Sequence, residues 1–224
     1  MEKLPRRIMG ITEFLKNKDL SLIEMQEPSN SDYKCFNTGG VECEIGEFLY
    51  GLVRMMKPNN IFETGTHMGI SSSYMAQALK DNGRGLLTTV EIEKEHIRRS
   101  QERWETLEIS HKIMVDKEES LQYVLEYDCE LMFLDSEPEF RFRELIRFFP
   151  RLKPGGIVFI HDMPRSMCQG NVNPDHPNYK SWPYGDLPVI IKQWVKEEAL
   201  RPFLFQTPRG LIGFYKTHPE DFVW

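Results

Sequence analysis

From residue 45 onward the chain alternates between two hydrophobic periods, and this alternation leaves few folds open. Ile45, Phe48, Leu49, Leu52, Val53 and Met56 recur at helical spacing and stop at Lys57-Pro58-Asn59-Asn60. Ile61-Phe62-Glu63 reads as a short buried strand ended by Thr64-Gly65-Thr66, and a helix from Ser71 closes at Asp81-Asn82-Gly83. The pattern repeats as strand 85–91, helix 94–107, strand 112–115, helix 118–127, strand 131–134, helix 139–152 and strand 156–160. Apolar strands separated by helices predict a parallel sheet covered on both faces, doubly wound by right-handed crossovers. A helix over 187–200 precedes two apolar runs, 202–206 and 211–216. The four residues between those runs cannot carry a parallel crossover, so they form an antiparallel hairpin. The expected fold is α/β: a Rossmann-like, doubly wound sheet of seven strands, five parallel plus a C-terminal antiparallel hairpin. Residues 1–44 (a charged helix, then a polar, turn-rich stretch over 28–38) read as an extension. Residues 45–224 read as the main domain, with a lid-like insertion at 163–186.

Composition narrows the function. The 224 residues carry 28 Lys+Arg against 34 Asp+Glu, a formal charge of −6, with no basic run to grip phosphates, so no nucleic-acid partner is expected. No apolar stretch approaches the roughly 18–20 residues that span a bilayer, and no apolar segment follows the charged start, so neither membrane nor secretory leader is expected. Cys35, Cys43, Cys129 and Cys168 lack metal-site spacing, which suits reduced thiols and a cytoplasmic location.

In such sheets ligands sit at the carboxyl ends of the strands, beside the point where strand order reverses. The first strand ends Glu63-Thr64-Gly65-Thr66-His67-Met68-Gly69-Ile70-Ser71, a turn whose glycines let backbone approach a ligand. It is not the G-x-G-x-x-G of dinucleotide sites, and Glu63 would repel a pyrophosphate while suiting a ligand with an ammonium and a sulfonium. The next strands end in Glu91, placed to accept ribose hydroxyls, and Asp116, placed to accept from an adenine amino group.

With these residues in view, the chain resembles the class I S-adenosylmethionine-dependent methyltransferases over roughly residues 41–216. The resemblance rests on the 63–69 turn, Glu91, Asp116, Leu131-Met-Phe-Leu-Asp135 and Leu152-Lys-Pro-Gly-Gly156. Ile45-Gly46-Glu47-Phe48-Leu49 and the E-x-G-T-x-x-G-x-S wording look most like the small-molecule O-methyltransferases, both the catechol type and the antibiotic-biosynthesis branch. The resemblance implies a cofactor site of Glu63, Gly65, Thr66, Gly69, Ser71, Glu91, Asp116 and Asp135, with S-adenosylmethionine as cofactor and a small molecule as substrate.

It also implies a catalytic group of Asp135, His161 and Asp162. In the catechol type two acids at these strand ends help hold a divalent ion such as Mg²⁺ or Mn²⁺. Here Met163 stands where a third ligand, Asn, is expected, and His161 offers itself instead. Three readings stay open: a metal held by Asp135, His161 and Asp162; a metal-free site with His161 as general base; or strand-end capping alone. His67 is the other histidine expected beside the cofactor. Tyr179, Trp182 and Tyr184, with Arg165 or Lys180, are candidate substrate contacts in the insertion. Alternatives of other classes are an NAD(P)-dependent reductase, which the missing third glycine opposes, and a non-catalytic cofactor-binding protein. A homo-oligomer is left open.

Overall fold

In the computed structural model, residues 10–27, 30–37, 40–163, 188–205 and 207–217 are described. The expected helix–strand alternation builds one seven-stranded sheet. Its strands are β3 (Asn60–Thr64), β4 (Leu86–Glu91), β5 (Ile113–Lys117), β6 (Cys129–Leu134), β7 (Leu152–His161), β8 (Leu200–Phe205) and β9 (Leu211–Lys216), in the order β5-β4-β3-β6-β7-β9-β8. The first five run parallel; β9 is antiparallel to β7 and to β8. From β3 the chain winds outward to β5, then returns to lay β6 on the other side of β3. The strand order therefore reverses between β3 and β6, with carboxyl ends on one edge.

The covering helices are α2 (Cys43–Met56), α3 (Ile70–Asn82), α4 (Lys94–Thr106), α5 (Arg141–Phe148) and α6 (Val189–Lys196). Helix α2 buries Ile45, Leu49, Leu52 and Val53 and stops where Lys57 turns left-handed (φ 49°) before Pro58. Two apolar clusters fill the layers on either face of the sheet, one around Leu49, Tyr74, Met75 and Trp104, the other around Phe62, Phe142, Phe148 and Ile160.

Four features differ from expectation. Residues 118–127 form no helix. After a turn over 120–122, the odd-numbered residues from 123 to 129 turn inward and the even ones outward, as in an extended chain. Tyr123 stacks on Phe62, Leu125 is buried, and Tyr127 donates to Thr88 Oγ1. Helix α5 ends at Phe148, because Pro150 lies in a 3₁₀ turn, and β7 begins four residues early, at Leu152. Helix α6 stops at Lys196 and β8 begins at Leu200. Before α2 stand the short helix expected there, α1 (Ile11–Lys18), and an unexpected hairpin of β1 (Met25–Glu27) with β2 (Asn30–Cys35), which the turn-rich composition concealed. Thr12 of α1 bonds Glu47 and Tyr74, which ties this segment to α2 and α3. The insertion, with Arg165, Tyr179, Lys180, Trp182 and Tyr184, and Cys168 lie outside the described residues.

Candidate functional site

At the reversal point the ends of β3, β4, β6 and β7 surround a cavity of about 680 Å³, within the range of small-molecule sites. Gly65, Glu91, Glu118, Ser120, Asp135, Ser136, Asp162 and Arg209 are among its walls. A smaller recess opens beside it, bounded by Gly40, Val41, Gly65, Thr66, Ser71 and Asp135.

The turn after β3 has the shape its glycines predict. Gly65 has φ 79°, and a Cβ there would stand 2.3 Å from the Asp135 carbonyl oxygen. Gly69 has φ 72° and packs against Ser100 and Trp104, where a side chain would collide. Between them His67 is held at φ 45°, and Asp162, at the end of β7, at φ 54°. Left-handed non-glycine residues are costly and cluster at functional sites; both of these line the cavity.

The sequence-derived candidates divide. Gly65, Glu91, Asp135 and Asp162 reach the main cavity; Thr66 and Ser71 reach the recess. Glu91 is 8% exposed and accepts from the amides of His67 (2.7 Å), Ile92 (2.9 Å) and Glu93 (3.0 Å). A carboxylate has about four acceptor positions, which leaves about one for a hydroxyl in the cavity. Glu63 reaches neither space. It is fully buried, accepting from Ser71 Oγ at 2.5 Å and from Ser72 Oγ, so it braces the start of α3. Burial lifts its carboxyl to about 7 despite the opposing bonds from Ser71, Ser72 and Thr89. Asp116 also stays off the wall: its carboxylate accepts from Tyr123 Oη at 3.0 Å, and Glu118, Glu119 and Ser120 line that end of the cavity.

His67 stands over His96, ring centroids 4.6 Å apart. Burial and the neighbouring imidazole lower its pKa, and its Nδ1 is buried with no hydrogen-bond partner among the described residues. An orphaned buried nitrogen, a cradle that a Cβ would fill and a wall rich in carboxylates all fit a cationic ligand such as S-adenosylmethionine.

The catalytic group assembles, but in an unexpected form. His161 is fully buried and does not line either space. Its Nδ1 lies 3.1 Å from Asp135 Oδ1 and its Nε2 2.6 Å from Glu42 Oε2. Burial alone would lower its pKa, but the charges of Asp135 and Asp162 and the bonds to Asp135 and Glu42 raise it to about 10. This setting favours the cation, and with both ring nitrogens engaged neither is open to a substrate proton. Arg141 Nη2 stands 3.1 Å from Asp135 Oδ1 and 3.3 Å from Asp162 Oδ2, and its other nitrogens hold the carbonyls of Ser136 and His161. Arg209, on the β8–β9 turn, donates from Nη2 to Asp162 and from Nη1 to Gly40 O (2.5 Å). Burial disfavours the ionised form of Asp162, but His161, Arg141 and Arg209 outweigh it and hold the carboxyl below its usual range.

Asp135, His161 and Asp162 do bring ligand atoms within 4.8 Å of one another. The donor set nevertheless does not fit a divalent ion. Both imidazole nitrogens face carboxylates, and each aspartate already carries guanidinium charge, so an entering ion would have to displace cations, although Asp162 Oδ1 is buried without a hydrogen bond among the described residues. Glu42, Arg141 and Arg209 were not legible as site residues. Arg141 and Arg209 carried no motif, and Glu42 precedes every motif.

Known proteins resemble this chain in sequence and in fold. Residues 62–163 match a family model described as a methyltransferase domain. A protein of Mycobacterium sp. (strain JLS) named "Putative O-methyltransferase" is 25% identical over 127 residues, 55% of this chain and 57% of the relative. A Mycobacterium avium (strain 104) protein of the same name is 26% identical over 55% of this chain and 56% of its own. The chain thus matches little more than half the length of these curated relatives. Among solved structures, the methyltransferase PaMTH1 of Podospora anserina, bound to SAH, superposes with a TM-score of 0.66 at 16% identity. That match covers 80% of this chain and 81% of that one. TomG of Streptomyces achromogenes, an O-methyltransferase of tomaymycin synthesis in complex with SAM, gives 0.66 at 20% identity, covering 80% and 82%. The fold is shared with these solved methyltransferases.

Proposed function

We propose that this chain transfers a methyl group from S-adenosylmethionine to a hydroxyl oxygen of a small molecule. The observation that carries the reading is the cavity at the strand-order reversal, where the Gly65 turn, Glu91 and Asp135 meet on one wall. Its acid-rich lining opposes the pyrophosphate of a nicotinamide cofactor and favours a cationic ligand.

The bound cofactor would supply a methyl group made electrophilic by its sulfonium. Gly65 and Thr66 would admit it close to the backbone, and the remaining acceptor position of Glu91 would take a ribose hydroxyl. Glu118–Ser120 replaces Asp116 at the adenine end. Holding two reactants in line supplies about 7–11 kcal/mol of a bimolecular barrier. The acceptor must also lose its proton. For a phenol-like hydroxyl of pKa about 10 this costs roughly 4 kcal/mol at pH 7. Asp135 faces the cavity and is the group that would take that proton, while Arg141, Arg209 and His161 hold Asp162 and Glu42 in place. Asp162, pinned by two guanidinium groups, would orient the acceptor rather than take its proton.

We read residues 45–224 as the methyltransferase domain, with 1–44 as an extension whose last residues wall the site. We also read the location as cytoplasmic and the partner as a small molecule, not a nucleic acid; among the described residues no helix is long and apolar enough to cross a membrane. The test is methyl transfer from isotopically labelled cofactor to a panel of hydroxylated metabolites. A labelled methyl ether, reduced at least tenfold in Asp135→Asn, supports the reading. Binding and oxidation of NADH with no affinity for S-adenosylhomocysteine would replace it with a reductase.

A further inference from the structure

Glu42 lies outside every motif of the cofactor fold, yet it reaches the centre of the site. It stands one residue before α2, is 1% exposed, and places Oε2 2.6 Å from His161 Nε2, across 119 residues of chain. Asp135 holds the opposite ring nitrogen at 3.1 Å, so the imidazole bridges the N-terminal segment and the cavity floor. A neutral imidazole has one donor and one acceptor nitrogen; with a carboxylate at each, only the doubly protonated ring satisfies both. The same segment grips a second cation, since Gly40 O accepts from Arg209. Three cations, His161, Arg141 and Arg209, thus face three carboxylates, Glu42, Asp135 and Asp162. Among the described residues, the ring and these five partners form one charged group whose formal charges cancel.

Taking the methyl-transfer reading of this site as its basis, we propose that Glu42 is a positioning residue of the reaction centre. It fixes His161 as a built-in cation behind Asp135. The aspartate then presents one orientation to the cavity, because its Oδ1 is held by imidazole and guanidinium together. Removing the Glu42 charge while keeping its size leaves Nε2 facing a group that tolerates a neutral ring, and the hold on Asp135 loosens.

The experiment uses the full chain with nitrogen-15 histidine, as wild type, Glu42→Gln and Glu42→Asp, with His161→Gln to assign the ring signals. In the wild type both ring nitrogens should carry protons at pH 8, and Mn²⁺ at millimolar concentration should leave their signals unbroadened. In Glu42→Gln the ring should lose its proton at least about one pH unit lower, about tenfold in the protonation equilibrium. Glu42→Asp should restore the wild-type value, a rescue that mere filling of space would not produce. A singly protonated wild-type ring, an unchanged titration in Glu42→Gln, or broadening by equimolar Mn²⁺ would each overturn the proposal. Should Glu42→Gln fail to fold, Glu42→Asp and the wild-type Mn²⁺ titration still decide it. Calorimetry with S-adenosylhomocysteine separates the two levels: affinity equal within about threefold in wild type and variants isolates the effect to the reaction centre. No binding by the wild type would overturn the cofactor reading and with it the role of Glu42 in a reaction.

Discussion

Gly65 and Asp135, at the exits of neighbouring parallel strands, meet backbone to backbone: a Cβ on Gly65 would stand 2.3 Å from the Asp135 carbonyl oxygen. The strands are still paired just before this point, where the Asp135 amide donates to Thr64 O at 3.0 Å. The opening beyond them is the reversal point of the sheet, and its width depends on that close approach.

Gly65→Ala meets two penalties, a left-handed φ costing about 1–2 kcal/mol and a collision that only a shift of the Asp135 backbone can relieve. The expected outcome is a protein that folds with a lowered Tm and binds S-adenosylhomocysteine at least 100-fold more weakly. Thermal unfolding and calorimetry on the same preparation check it.

Arg141 is 3% exposed and lies between Asp135 and Asp162. Arg141→Met leaves two carboxylates facing each other with less compensation, and breaking a buried ion pair from one side costs about 3–5 kcal/mol. Urea denaturation should show a loss of that size. A change below about 1 kcal/mol would mean that Arg209 and His161 suffice.

Glu63 gives a pH dependence with a definite sign. Its carboxyl is raised to about 7 in the folded chain from an ordinary 4.5, so the native state binds the proton more tightly than the unfolded state. Stability therefore falls as pH rises from about 4.5 to about 7 and is level beyond, a span of about 3 kcal/mol. Glu63→Gln should flatten this part of the profile and be more stable than wild type at pH 8, with the two alike near pH 4.

His161 acts at higher pH. Its folded pKa of about 10 lies above an ordinary 6.5, so its contribution is full below about 6.5 and is lost as pH climbs to 10. Denaturation midpoints measured from pH 6 to 10 should decline in wild type, and decline less in His161→Gln.

Much of this architecture was legible because parallel strands and their helices have different periods. The reversal point follows from strand order, which is why the sequence alone points to Gly65, Glu91 and Asp135 as cavity residues. The misread stretch 118–127 shows the limit. Leu121, Val124 and Leu125 offer helical spacing, but Tyr123, Leu125 and Tyr127 offer period two, and only their partners Phe62 and Thr88 favour the second. Charge is less legible still. Glu63 and Glu91 are both acids at strand ends, yet one turns beneath the helix to two serines and the other toward the cavity. Arg141, Arg209 and Glu42 come from a helix start, a hairpin turn and the segment before α2. Nothing local to any of them announces that they converge on His161 and its aspartates.

Calorimetric titration of the wild type and Glu91→Ala with S-adenosylhomocysteine, with NADH as the control ligand, is the measurement to make. Wild type should bind the homocysteine ligand and give no heat with NADH. Glu91→Ala should bind at least tenfold more weakly, about 1.4 kcal/mol, for the loss of one charge-assisted hydrogen bond and of the His67 amide's acceptor. No binding by the wild type, or equal affinity in the variant, would contradict the assignment of this cavity to the cofactor.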